Sequence, residues 1–177
     1  DMTLQTIEGD STFVKELLTD GKCDIAFLRS ESSSVKEFNS IPYMIDYLTA
    51  VLPATHPLAK ADNLPFEQLR GETFLLFPEH SFINDLCIRE CRNAGFEPHI
   101  AYTGNRGATL IDLVRNGAGI TLMMHHSARQ ENDSSLAFIP VTPGIYSYIS
   151  LNYAKEKPLS PQAESFVRYV KAHKRDF

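Results

Sequence analysis

The sequence predicts an α/β fold, and three stretches carry that prediction: Leu4 to Leu28, Phe74 to Tyr102, and His99 to Met123. Each runs from an apolar segment of strand length, through a helical pattern and a glycine, into another such segment. Repeated alternation of strand and helix argues for parallel sheets, because a parallel pair needs a crossover and a helix supplies it.

In the first stretch, Leu4-Gln5-Thr6-Ile7 alternates apolar and polar residues as a strand does. Glu8 to Ser11 then turns the chain into a helix whose apolar positions Phe13, Val14, Leu17 and Leu18 share one face. Ser11 is the expected N-cap, since a short hydroxyl can accept free amides, and Gly21 the expected residue past the helix end, where positive φ costs glycine little. Cys23 to Leu28 reads as a strand covered on both faces.

Tyr47 to Leu52 is a β-branched and apolar run ending at Pro53, and His56-Pro57-Leu58 marks a loop, because the residue before proline avoids helix. Phe74 to Phe77 opens the second stretch, with a helix from about Ser81 to Ala94, closed by Gly95, and a strand from His99 to Tyr102. A helix over about Arg106 to Asn116 stops at Gly117, and Gly119 to Met123 reads as a buried strand. Leu136 to Val141, a turn at Pro143-Gly144 and the run Ile145 to Tyr153 follow. The last helix starts at Ser160-Pro161, N-cap and N1, and repeats apolar residues at Ala163, Phe166, Val167 and Val170.

With 177 residues, 43% hydrophobic and 22% charged, the chain can bury a core as one large domain or two lobes. Lys and Arg number 17 against 22 Asp and Glu, a net charge of −5, so this chain lacks the positive surface that neutralises phosphates, and poor DNA binding is expected of it alone. No apolar run approaches a membrane span and residues 1 to 20 lack a signal-peptide pattern, so a cytoplasmic location is expected. The closing Lys171 to Arg175 stretch reads as a solvated helix end.

Cys23, Cys87 and Cys91 lack the spacing of a disulfide framework. Cys87 and Cys91 lie one helical turn apart, which suits helix packing, with redox sensing as the alternative. The six histidines form no HExxH or comparable ligand spacing, so no metal and no cofactor is expected. There is no GxSxG elbow, and Gly104 to Gly107 is too short for a phosphate loop; no catalytic residue is assigned and the chain is expected not to be an enzyme.

Six features in order give the sequence a familiar shape: Glu8-Gly9 before a helix, Leu18 to Phe27 (LTDGKCDIAF), Leu52 to Ala59 (LPATHPLA), Leu64 to Phe74 (LPFEQLRGETF), Asp112 to Leu122 (DLVRNGAGITL), and Leu136 to Val141 before a strand and helix. Their order and spacing over nearly the whole chain resemble the effector-binding domain of LysR-type transcription regulators. The resemblance implies a type 2 periplasmic-binding-protein fold: two Rossmann-like α/β lobes joined by two crossover strands, with a small molecule held between them. By that pattern residues 1–42 and 148–177 form lobe I and 43–147 form lobe II. The family's domain normally opens with a strand and a helix ahead of the segment that begins here, so roughly 25 to 30 residues of lobe I, the winged helix-turn-helix and the linker helix are expected to be missing. The resemblance also implies homodimers or homotetramers of the full-length protein, with DNA contacted only through that headpiece.

In open parallel sheets ligands gather beyond the carboxyl ends of strands, where helix amino ends also point. That rule selects Ser11, Thr12, Arg29, His80, Ser81, Phe82, Thr103, Asn105 and His125 as ligand-binding candidates. Three helix amino ends converging on a cleft, with Arg29 or Arg106 as a bidentate partner, favour a small organic anion. Each candidate has a plainer role beside this one. Ser11 and Ser81 cap helices wherever a cleft lies, Arg29 can pair with a nearby acid, and His80 and His125 can be solvent-facing. A solute-binding protein of a transport system is the alternative on the same fold, and an enzyme on that fold is the third reading.

Overall fold

Asp10, one residue ahead of the expected Ser11, starts the first helix in the computed structural model, which describes residues 3–129 and 133–173. Its carboxylate accepts the backbone N–H groups of Thr12 and Phe13 at 2.8 and 3.1 Å, beginning α1 (Ser11–Thr19). Either side chain can cap, but the carboxylate also meets the positive end of the helix dipole. Gly21 follows the last turn with φ +68°, as expected. The chain divides into two compact units, Asp1–Ile45 with Ser147–Phe177 and Asp46–Tyr146. It passes between them twice, inside β2 (Phe38–Pro53) and inside β8 (Tyr146–Ala154).

In the first unit, β1 (Ala26–Ser30) pairs antiparallel with β8, Leu28 opposite Ser150. Leu4 to Ile7 forms no strand: Leu4 is 67% and Ile7 55% exposed, and among the described residues nothing pairs with them. An alternating pattern becomes a strand only where a ladder partner takes its backbone groups. The first predicted strand–helix–strand unit is therefore not closed, and the strand expected to be covered on both faces is not. Phe27 is 42% exposed between buried Ala26 and Leu28, its ring edge-on to Tyr43. On the other side of the unit, α5 (Pro161–Ala172) begins with Ser160 accepting the Ala163 N–H, as expected, and packs Val167 and Val170 against Ile41 and Leu151. Of the predicted basic helix end, residues 174 and 175 lie outside the described residues.

The second unit is built around the later half of β2. It lies between β6 (Thr121–Met124) and β7 (Leu136–Thr142), both antiparallel to it, with Ala50 opposite Leu122 on one side and Ile139 on the other. A strand flanked and covered in this way needs the unbroken apolar run seen at Ala50 to Leu52. β3 (Leu64–Pro65) runs parallel to β7, and Pro65, with no N–H to donate, ends that ladder. The His56-Pro57-Leu58 loop winds into a 3₁₀ turn over Pro57–Lys60.

β4 (Thr73–Leu76), α2 (Phe82–Asn93) and β5 (His99–Thr103) form the expected parallel unit. Then α3 (Gly107–Arg115) leads into β6, packing Leu110, Ile111 and Val114 with Val51 and Leu75. Ile120 bridges in parallel to β4: its N–H donates to the Thr73 carbonyl and its carbonyl accepts the Leu75 N–H, both at 2.8 Å. That approach depends on Gly119, because a Cβ there would stand 2.4 Å from the Thr73 oxygen. Cys87 and Cys91 face the core with Phe74, Leu86 and Leu122.

Candidate functional site

In the first unit, Ser11 and Arg29 come together although they lie on different elements. The Ser11 hydroxyl accepts the Arg29 backbone N–H at 3.2 Å, and the Arg29 guanidinium donates to the Ser147 hydroxyl at 2.6 Å. Ser147 was not singled out from the sequence, though a serine inside an apolar strand is a signal, because a buried hydroxyl must find a partner. Thr12 is exposed beside Ser11, with its N–H already held by Asp10. The expectation of open amides at this helix end is thereby corrected for Thr12 and Phe13. The Asp10 carboxylate sits where an anion was expected.

In the second unit, the remaining candidates follow the carboxyl ends of β4, β5 and β6, three neighbouring strands that run parallel to one another. After β4, the Ser81 hydroxyl caps α2 as expected, accepting the Asn84 N–H at 3.3 Å and donating to the Pro78 carbonyl at 2.7 Å. His80 is exposed with φ +66°, a left-handed conformation that few side chains other than glycine adopt readily, and Phe82 begins the helix. Beneath them, Asn84 donates its side-chain N–H to the Phe77 carbonyl at 2.8 Å and is itself buried, so it holds the Phe77–Ser81 turn from the core side. Sequence reasoning missed it. The available signal was a polar residue on the same helical face as Cys87 and Cys91.

Thr103 and Asn105 are exposed after β5, where the Gly104 N–H donates to the Leu76 carbonyl at 3.0 Å and ties this turn to the end of β4. Arg106 precedes α3 and makes no side-chain cap there. His125 follows β6 as the first residue of the short α4 (His125–Ala128). Its ring stacks on Tyr47 at 4.3 Å and 18°, and its Nδ1 lies 3.3 Å from the Thr49 hydroxyl. Burial, and next the Arg129 charge, hold the His125 pKa below the ordinary histidine value, which favours the neutral ring. Buried Asp46 accepts the backbone N–H groups of Tyr47 and His126, both at 3.0 Å, and so fixes the strand that carries Tyr47 against the turn that carries His125.

The cysteines behave as core residues. Burial pushes the Cys91 thiol up to about 12 and Cys87 well above the ordinary value, so neither supplies a thiolate near neutral pH. Among the described residues no group of three or more His, Cys, Asp or Glu is placed to hold a metal ion, and no helix is long and apolar enough to cross a membrane.

Comparison with known proteins places this geometry. The transcriptional dual regulator GltC of Bacillus subtilis (strain 168) is 26% identical over 164 residues, covering 92% of this chain and 55% of GltC, so the chain spans about half the length of such relatives. The Synechocystis PCC6803 CcmR regulatory domain, solved with 2-PG, superimposes with a TM-score of 0.83 at 16% identity, over 94% of this chain and 81% of that one. The effector binding domain of QuiR, solved with shikimate, gives 0.75 at 20% identity, over 94% and 81%. These likenesses show the type 2 periplasmic-binding-protein fold. The LysR substrate binding domain family matches residues 1–175, and the chain belongs to that family.

Proposed function

We propose that the chain is the effector-sensing part of a transcription regulator, and that the first and second units act as its lobes I and II. The effector is a small organic anion; the candidate contacts are Ser11, Thr12 and Arg29 within the first unit and His80, Ser81, Phe82, Thr103, Asn105 and His125 within the second. The observation that carries this reading is the Arg29 arrangement. The Ser147 hydroxyl orients the Arg29 guanidinium near the end of β1, while Ser11 at the start of α1 holds the Arg29 backbone N–H, and an oriented guanidinium suits a carboxylate. The molecules bound by the CcmR regulatory domain and by QuiR support a small-molecule ligand as the class.

Binding would favour one arrangement of the lobes and so change how headpieces elsewhere in the full-length protein sit on DNA. This requires unequal affinity for two states, since equal affinity moves no equilibrium. Under this reading the full-length protein is a cytoplasmic homodimer or homotetramer, and the chain performs no catalysis. GltC, a relative over most of this chain, is a transcriptional regulator, which favours sensing over solute transport.

A thermal-shift series of small carboxylates tests the proposal. A carboxylate that raises the melting temperature of the chain, and fails to do so after Arg29→Ala, supports it. Stabilisation that survives Arg29→Ala, or turnover of the bound carboxylate, overturns it.

A further inference from the structure

A cavity of about 330 Å³, partly open to solvent, lies at the margin of the second unit. Tyr47 of β2, Pro140 and Thr142 of β7, Asn63 ahead of β3, and Gly144 and Tyr146 of the returning loop line it. The loop is anchored by the Ile145 carbonyl, which accepts the Leu48 N–H at 2.8 Å, and Asn63 stands at the start of the short β3–β7 ladder, one residue before Leu64. Gly144 lets the Tyr146 ring lie close against the loop: a Cβ there would stand 3.0 Å from the tyrosine hydroxyl and 3.1 Å from its ring.

The chemistry of the lining is specific. No residue in it carries a charge, two tyrosine rings and a proline provide flat apolar surface, and an amide and hydroxyls provide hydrogen bonds in both directions. A cavity of about 150 Å³ already accepts benzene, so this one has room for a single substituted ring. Tyr47 also stacks on His125, so an occupant touching Tyr47 would be one ring away from the turn that follows β6. We infer that this cavity is an accessory site for a neutral, single-ring aromatic or heteroaromatic molecule bearing an amide or hydroxyl, and that its occupancy is felt at His125 through Tyr47. The inference shares His125 with the anion reading, and the amides of Asn63, Gly144 and Tyr146, which belong to this cavity alone, keep the two distinguishable.

Nicotinamide and its anionic counterpart nicotinate, titrated into the 177-residue chain under amide and histidine-ring NMR, provide the test. Nicotinamide is expected to shift the amides of Asn63, Gly144 and Tyr146 saturably, with the His125 ring signals moving along the same curve, and nicotinate to bind there at least about tenfold more weakly. Tyr146→Ala, at a side chain 55% exposed, and Asn63→Leu, on an exposed loop, preserve the fold and should each weaken nicotinamide by about tenfold. No saturable shift up to roughly 10 mM nicotinamide, shifts undiminished in both variants, equal binding of nicotinate, or a His125 ring that does not respond would each overturn the inference.

Discussion

The Arg29 guanidinium reaches from β1 to the Ser147 hydroxyl on β8 at 2.6 Å, and Ser147 has no solvent exposure. This contact is both structural and functional in the reading given above, so its removal should register twice. Ser147→Ala is expected to cost about 1.5–3 kcal/mol in denaturant unfolding, as for a hydrogen bond to a charged group, and to weaken carboxylate binding measured by calorimetry. Unchanged carboxylate affinity in a destabilised variant would assign the contact to folding alone.

Asp10 gives a prediction of two signs. Its carboxylate caps α1 through Thr12 and Phe13, so Asp10→Ala should destabilise the chain by about 1 kcal/mol. The same substitution removes a negative charge from beside Ser11, so carboxylate affinity should rise at low ionic strength. A fall in affinity would place the anion away from this helix end.

Thiol labelling separates the cysteines. Cys23 is half-buried, whereas Cys87 and Cys91 are fully enclosed with their thiols held protonated. With a disulfide reagent near neutral pH, one thiol per folded chain should react and the other two only on unfolding. Rapid labelling of Cys87 or Cys91 in the folded chain would reopen a redox role for the pair.

The His125 ring predicts a pH dependence. Burial and Arg129 lower its pKa in the folded chain from the ordinary 6.5, so the unfolded chain binds the proton more readily. The stability associated with neutral His125 is complete above about 6.5, declines as pH falls below that value, and levels off once the folded ring is also protonated. Urea unfolding between about pH 8 and about pH 5 should show this decline, reduced in His125→Gln. An identical pH slope in the variant would remove His125 as its source.

The parts of this fold legible in sequence are those whose partners lie nearby along the chain. The unit from β4 through α2 to β5, Gly95 at the end of α2, and the Ser81 and Ser160 caps of α2 and α5 follow from local periodicity and cap chemistry. Leu4 to Ile7 shows the limit: its alternation is a strand signal, but pairing is decided by a neighbour that no local pattern reveals. β2 shows another limit. Only its later half, buried between two strands, carries a continuous apolar run, while Asn39 and Ser40 meet β8 through side-chain amide and hydroxyl bonds that read locally as loop. In the site, Arg29 and Ser81 could be selected by their place after strands. Ser147 and Asn84 act from beneath, through contacts that only the folded chain brings together.

The two passages of chain inside β2 and β8 set an order of assembly. The second unit is one continuous segment, so every residue it needs has been synthesised once Tyr146 is added. The first unit draws on both sides of that segment, and β1 must wait for β8, more than a hundred positions later, to be made. Closing so long a loop is entropically costly and slow, so the inserted segment should fold early and the discontinuous one should complete the domain. Until then Ile41, whose core partners Leu151, Val167 and Val170 are made last, stays uncovered.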